Sequence, residues 1–167
     1  EFVAAYNRGD IDGGFVWDPV LTELKKNGAV LVTSKDVAEK GAPTFSAWVA
    51  TGKFAKEHPE FLKNYAAVID KYSQSFATDK AAWGPDSENT KLLAKLLGGT
   101  PADQAAGLKN LNLVPRSEQV SEAWLGGGEK SGVAKILKET SAFLKEQKKI
   151  SQVQGSYAKY VTPTALK

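Results

Sequence analysis

The sequence lacks cysteine and methionine and contains one histidine. The absence of cysteine excludes disulfides, thiol catalysis and cysteine–zinc sites, and it is compatible with an oxidising compartment. His58 stands directly before Pro59, where a helix cap is expected, so a Ser-His-Asp site or a histidine-rich metal site is not predicted. Because residue 1 is not Met and no signal peptide is recognisable, we expect a processed chain or a portion of a longer protein.

A long apolar run is also missing, so the sequence predicts no membrane span. The net charge is +3, and the lysines are spread along the chain rather than gathered on one basic face, which argues against nucleic-acid binding. The 167 residues are 42% hydrophobic and 25% charged, an ordinary composition for a globular protein of one domain. No motif calls for a cofactor.

Two segments resemble ligand-binding motifs but lack residues that those motifs require. Asp10 and Asp12 resemble the start of a calcium loop, but the positions that need glycine and glutamate hold Phe15 and Leu21. Gly126–Ser131 resembles a phosphate-binding loop, yet Glu129 stands where glycine is required and no strand leads into it. We interpret this glycine-rich segment as a flexible joint.

The hydrophobic pattern predicts an α/β fold with few strands and a helical C-terminal part. The β-branched and aromatic runs at 13–17, 29–33 and 44–50 are predicted strands. The fully apolar run 29–33 indicates a mostly parallel sheet with both faces covered. From Gly52 onward the chain is almost entirely helical. Apolar periodicity, capping residues and glycine stops predict helices over 1–8, 19–27, 58–77, 86–97, from 100 onward, 117–125 and 130–147, and an amphipathic docking piece at 157–161.

Candidate binding residues follow from the predicted strand ends. Trp17 and Asp18 end one predicted strand at a helix start, and Pro43 and Thr44 stand at the mouth of another. Ligands of open α/β sheets sit at such edges, where helix N-termini present free N–H groups. Trp17 is equally well explained as a core aromatic. Asp18 is explained as a helix N-cap, and the two roles of its carboxylate can coexist because it has several lone pairs.

The run Gly9–Pro19 (GDIDGGFVWDP), the segment Gly41–Thr44 followed by Trp48-Val49, and Phe54–Glu60 resemble the periplasmic taurine-binding proteins of ABC importers. Ala142–Gln147 and Tyr157–Val161 continue the resemblance, which covers essentially the whole chain. The chain resembles only the C-terminal half or so of such a protein.

The resemblance implies part of a two-lobed type II periplasmic-binding fold. Residues 1–50 would complete the second lobe and the return crossover, and residues 51–167 would form a helical return that packs on the first lobe, supplied by a missing N-terminal half. It further implies a non-enzymatic binding protein, either periplasmic or extracytoplasmic and tethered to the membrane, that passes taurine or another small sulfonate to a membrane permease, with no metal or cofactor. The alternatives are an enzyme of thiamine-precursor synthesis on the same scaffold and the ligand-sensing domain of a transcription regulator.

Overall fold

A computed structural model describes residues 1–167 and contains helices but no strand. In chain order the helices are α1 Phe2–Arg8, α2 Val20–Leu24, α3 Ser34–Glu39, α4 Gly52–Glu57, α5 Pro59–Thr78, α6 Glu88–Leu97, α7 Pro101–Leu108, α8 Arg116–Gln119 and α9 Gly132–Glu146. Short 3₁₀ turns lie at 81–83, 128–130, 158–160 and 164–166. None of the helices combines the length and the apolar character that a membrane crossing requires.

The three predicted strands are wrong for this structure. Residues 13–17, 29–33 and 44–50 are not helical, but none of them forms a ladder with another segment. Leu31 is 94% exposed, and its neighbours Val30 and Val32 are 51% and 56% exposed. A strand exists only through its hydrogen-bonded neighbours, and these runs find no partner within the chain. The α/β class is therefore not confirmed, and the chain by itself is helical.

Most of the predicted helices are confirmed, because their signals are local. Helix α1 ends at Gly9, whose φ of 78° is the left-handed conformation of a C-terminal cap. Helix α7 begins with a capping box, in which Thr100 accepts from the backbone of Asp103 and the Asp103 carboxylate accepts in return. Helix α5 begins at Pro59 as expected and runs for 20 residues. The predicted helix over 117–125 is reduced to the four residues of α8.

The chain divides into two compact units, each built from two stretches of sequence. Unit 1 comprises residues 1–42 and 75–112, and unit 2 comprises residues 43–74 and 113–167. In unit 1, α6 packs on α7, and α2 contacts both α1 and α7. The hydroxyl of the fully buried Thr90 donates to the Gly84 carbonyl at 2.7 Å, which ties α6 to the turn before it. The predicted division near residue 50 stays a prediction.

Unit 2 has a small apolar core. Val133 and Ala134 of α9 and Val161 are buried together, and the partly buried side chains that pack on them are Phe45, Trp124, Leu125, Leu137 and Tyr157. The expected docking of the terminal segment 157–161 agrees with this core. Arg116 holds the last residues in place, since its Nε donates to the Leu166 carbonyl at 2.7 Å.

In the glycine-rich segment before α9, which the sequence predicts to be a flexible joint, Gly126 packs closely against another part of the backbone. Gly126 is buried, and a Cβ at this position would lie 3.0 Å from the carbonyl carbon of Ser121. The first N–H groups of α9 already have acceptors, because Gly132 donates to the Glu122 carbonyl at 2.8 Å and Val133 to the Trp124 carbonyl at 3.2 Å. The glycines thus allow two backbone segments to approach closely, and the occupied N–H groups agree with the rejection of a phosphate loop.

Candidate functional site

Asp18 connects two elements of unit 1 that are far apart in sequence. Its Oδ1 accepts from the backbone N–H of Thr22 at 3.1 Å and from the Thr22 hydroxyl at 2.5 Å. Its Oδ2 accepts from Nδ2 of Asn110 at 2.8 Å, across 92 residues of sequence. Helix α2 starts at Val20 rather than at Pro19, but the carboxylate still satisfies a free N–H group of the first turn. The expected capping role of Asp18 therefore has a structural counterpart.

The surroundings of Asp18 keep its carboxyl group ionised. Partial burial raises the pKa, and the hydrogen bonds from Thr22 and Asn110, with the charge of Lys25, outweigh that effect and lower it below its usual value. The group therefore carries a full negative charge at neutral pH. Three donors occupy three of its roughly four lone-pair positions, so room remains for one donor from a ligand.

Trp17 is not a core aromatic in this structure. Its side chain is 74% exposed, and only its carbonyl is engaged, as acceptor for Leu21 N–H at 3.0 Å. An indole that is open to water, next to a fixed carboxylate, has its ring face free for a ligand. The sequence left a core role and a ligand-facing role open for Trp17, and the ligand-facing role stays a prediction.

Pro43 and Thr44 begin the first stretch of unit 2. Pro43 is half-buried, and Thr44 is exposed and makes no side-chain hydrogen bond. The next residue, Phe45, packs on the Val133–Val161 core and so fixes where these two residues emerge. Trp17 and Asp18 belong to unit 1 and Pro43 and Thr44 to unit 2, so the four candidate residues form two separate pairs.

Sequence reasoning missed Asn110 and Thr22 as partners of Asp18. The spacing of Asp18 and Thr22, at i and i+4, is a local signal that could have been used. No local pattern links Asp18 to Asn110, because their hydrogen bond depends on how α7 packs on α2. The position of Gly107 on α7 contributes to this packing, since a Cβ there would lie 3.3 Å from Cγ of Asp18.

His58 and the carboxylates form no metal-binding group. The His58 ring lies against Phe54, with ring centroids 4.6 Å apart, at the junction of α4 and α5. No set of three or more histidine, aspartate or glutamate side chains is arranged to hold a metal ion.

Comparison with known proteins identifies a relative. The chain is similar to the taurine-binding periplasmic protein of Escherichia coli (strain K12), with 37% identity over 160 residues. The resemblance predicted from the sequence is confirmed. The aligned region covers 96% of this chain but 48% of the relative, so the chain spans about half the length of the curated protein it matches. No protein-family model matches the chain.

Proposed function

We propose that the chain is the C-terminal portion of a two-lobed periplasmic solute-binding protein, which binds taurine or a related small sulfonate and delivers it to the membrane permease of an ABC importer. The observation that carries the proposal is the 37% identity, over nearly the whole chain, to a taurine-binding periplasmic protein. In such a protein the two lobes close over the ligand, and the permease responds to the closed form.

The exposed apolar runs support the view that another half of the protein is needed. Phe15, Leu31 and Trp48 all lie in segments with strand composition and are 69%, 94% and 74% exposed. Contiguous apolar surface of this kind is uncommon on a stable monomer. In the proposed two-lobed protein, segments from the other half pair with these runs and restore the α/β sheet that the chain alone lacks.

The proposed ligand-binding residues are two pairs, each within its own unit: Trp17 and Asp18 in unit 1, and Pro43 and Thr44 in unit 2. Taurine is a zwitterion, so its site needs an acceptor or aromatic face for the ammonium and hydrogen-bond donors for the sulfonate. The exposed indole of Trp17 and the ionised carboxylate of Asp18 suit the ammonium. The free hydroxyl of Thr44 suits a sulfonate oxygen, and Pro43 supplies an apolar wall.

The proposed role is binding without catalysis. The relative is named for binding. The alternatives from the sequence, an enzyme of thiamine-precursor synthesis and the sensing domain of a regulator, gain no support from any observation. The His58 ring, which an enzyme would need, packs on Phe54 instead.

Isothermal titration of the longer protein with taurine and with ethanesulfonate tests the proposal. Taurine should bind, and Asp18→Asn should weaken it by about 1.5–3 kcal/mol, the size of a hydrogen bond to a charged group. Ethanesulfonate, which lacks the amine, should bind the two proteins almost equally. Trp17→Ala should weaken taurine binding and leave the unfolding midpoint nearly unchanged; unchanged binding with a loss of about 3–5 kcal/mol of stability would instead mark Trp17 as a core aromatic of the longer protein.

One result would contradict the proposed function, and another would contradict the proposed role of Asp18. The absence of taurine and sulfonate binding by the longer protein would remove the function itself. Equal taurine affinities for wild type and Asp18→Asn would leave the function standing and reduce Asp18 to a structural residue that joins α2 to Asn110. A matched control is Asp86→Asn, which removes one negative charge elsewhere in unit 1 and should change neither affinity.

A further inference from the structure

Unit 1 contains an open groove of about 450 Å³ between α1 and Asn27, which lies in the turn after α2. Tyr6 and Asn7 of α1, Ile11 and Asp12 of the following loop, and Asn27 line it. None of the four residues proposed above to hold the sulfonate ligand lines this groove. It is therefore a separate surface, and its volume lies in the range of small-molecule sites.

The backbone creates the groove through two glycines. Gly9 ends α1 in the left-handed conformation, and the next N–H, of Asp10, bonds the Ala5 carbonyl at 2.9 Å, so the loop turns sharply at the end of the helix. Gly28 leaves space for the phenol of Tyr6, whose oxygen would lie 2.6 Å from a Cβ at that position. The groove wall is thus set by a close approach between α1 and the end of the α2 segment.

The polar side chains of the groove have no partners within the chain. The amides of Asn7 and Asn27 and the carboxylate of Asp12 make no hydrogen bond or ion pair to another residue. The phenol oxygen of Tyr6 is likewise without a hydrogen bond. These four polar groups line one open groove together with the apolar side chain of Ile11.

Asp12 is the single charged residue of the lining, and two cations near the groove already have other partners. Arg8 binds Asp10 through two guanidinium nitrogens, at 2.6 and 3.0 Å. Lys26, next to the lining residue Asn27, binds Glu23 at 2.6 Å. Neither of the two cations needs Asp12 as its partner, and the groove has a net negative charge.

We propose that this groove binds the primary ammonium group of a small polar molecule. A protonated amine has three N–H donors and no acceptor, and the groove offers three matching acceptors in the Asp12 carboxylate and the side-chain carbonyls of Asn7 and Asn27. The Tyr6 phenol is placed to bond a hydroxyl of the same molecule, and Ile11 contacts its carbon chain. Charge-assisted hydrogen bonds of this kind are stronger than neutral ones.

Titration of the ¹⁵N-labelled full chain with ethanolammonium, followed by NMR, tests the proposal. The side-chain amide signals of Asn7 and Asn27 and the backbone signals of 6–12 should shift and saturate with a dissociation constant on the order of 1–10 mM, because the groove is open to water. Asp12→Asn should weaken this binding at least about tenfold. Glu39→Gln on α3, which removes the same charge outside the groove, should leave it unchanged.

Ethylene glycol is the matched probe without charge, since a hydroxyl replaces the ammonium group. It should shift the groove signals far less than ethanolammonium at the same concentration. The proposal is overturned if the groove signals do not move at ten times the expected dissociation constant. It is also overturned if ethylene glycol moves them equally, or if Asp12→Asn binds ethanolammonium as wild type does.

Discussion

Gly132, the first residue of α9, is expected to tolerate no side chain. A Cβ built on it would lie 3.0 Å from the carbonyl carbon of Ala123 and closer still to the carbonyl oxygen. The obstacle is backbone, which cannot rotate away as a side chain can. Gly52 offers a matched comparison, because it also begins a helix after a hydroxyl cap, Thr51, and has no atom within 4 Å of its Cβ position.

The cost of Gly132→Ala can be worked from these contacts. Overpacking a close-packed site costs about 1–3 kcal/mol. Relief of the overlap must move the segment that accepts the N–H groups of Gly132 and Val133, and each weakened hydrogen bond costs about 1 kcal/mol. Replacing glycine by alanine returns about 0.4–1 kcal/mol through the unfolded state. The net expectation is a loss of about 2–5 kcal/mol, whereas Gly52→Ala should gain up to about 1 kcal/mol.

Urea unfolding followed by Trp fluorescence and by circular dichroism measures both variants against wild type. Trp124 packs on the core beside α9 and is well placed to report on this region. If Gly132→Ala falls within about 0.5 kcal/mol of Gly52→Ala, the close approach of the two backbone segments is refuted. A change in the slope of unfolding, rather than in its midpoint, would also count against a local clash.

Three further predictions concern stability and association. Lys148 follows α9 with a φ of 57°, so Lys148→Gly should raise stability by about 0.5–1 kcal/mol in thermal unfolding, and a loss would contradict the strain. Asp18→Asn should cost about 1 kcal/mol at pH 7, because the amide cannot keep every hydrogen bond from Thr22 and Asn110. The folded-state pKa of Asp18 is lowered, so this difference should be present above about pH 4 and shrink as the pH falls through that pKa; a constant difference would contradict it. The exposed Leu31 should promote self-association of the chain, so Leu31→Lys should lower the weight-average mass in sedimentation, and a monomeric wild type would contradict this.

The features predicted correctly from the sequence all depend on contacts within a few residues. The helix start at Thr100 and Pro101, the stop at Gly9 and the start of α5 at Pro59 each depend on groups within a few positions of one another. Such signals act whatever the rest of the chain does. The hydrogen bond that positions Asp18, from Asn110, joins residues 92 positions apart, and the bond from Arg116 to the Leu166 carbonyl joins residues 50 positions apart. The hydrophobic periodicity of the sequence does not predict such long-range hydrogen bonds.

The strands failed for a related reason. The composition of 29–33 is typical of a strand that is covered on both faces of its sheet. The segments that would pair with it and cover it lie elsewhere, so the composition of the run alone does not determine whether a strand forms. In this structure no other segment pairs with 29–33, and Leu31 is among the most exposed side chains of the molecule. The relative is about twice as long as the matched region. The predicted strands that the structure lacks are thus the residues that the proposed second half would cover. We expect that half to pack on these exposed runs.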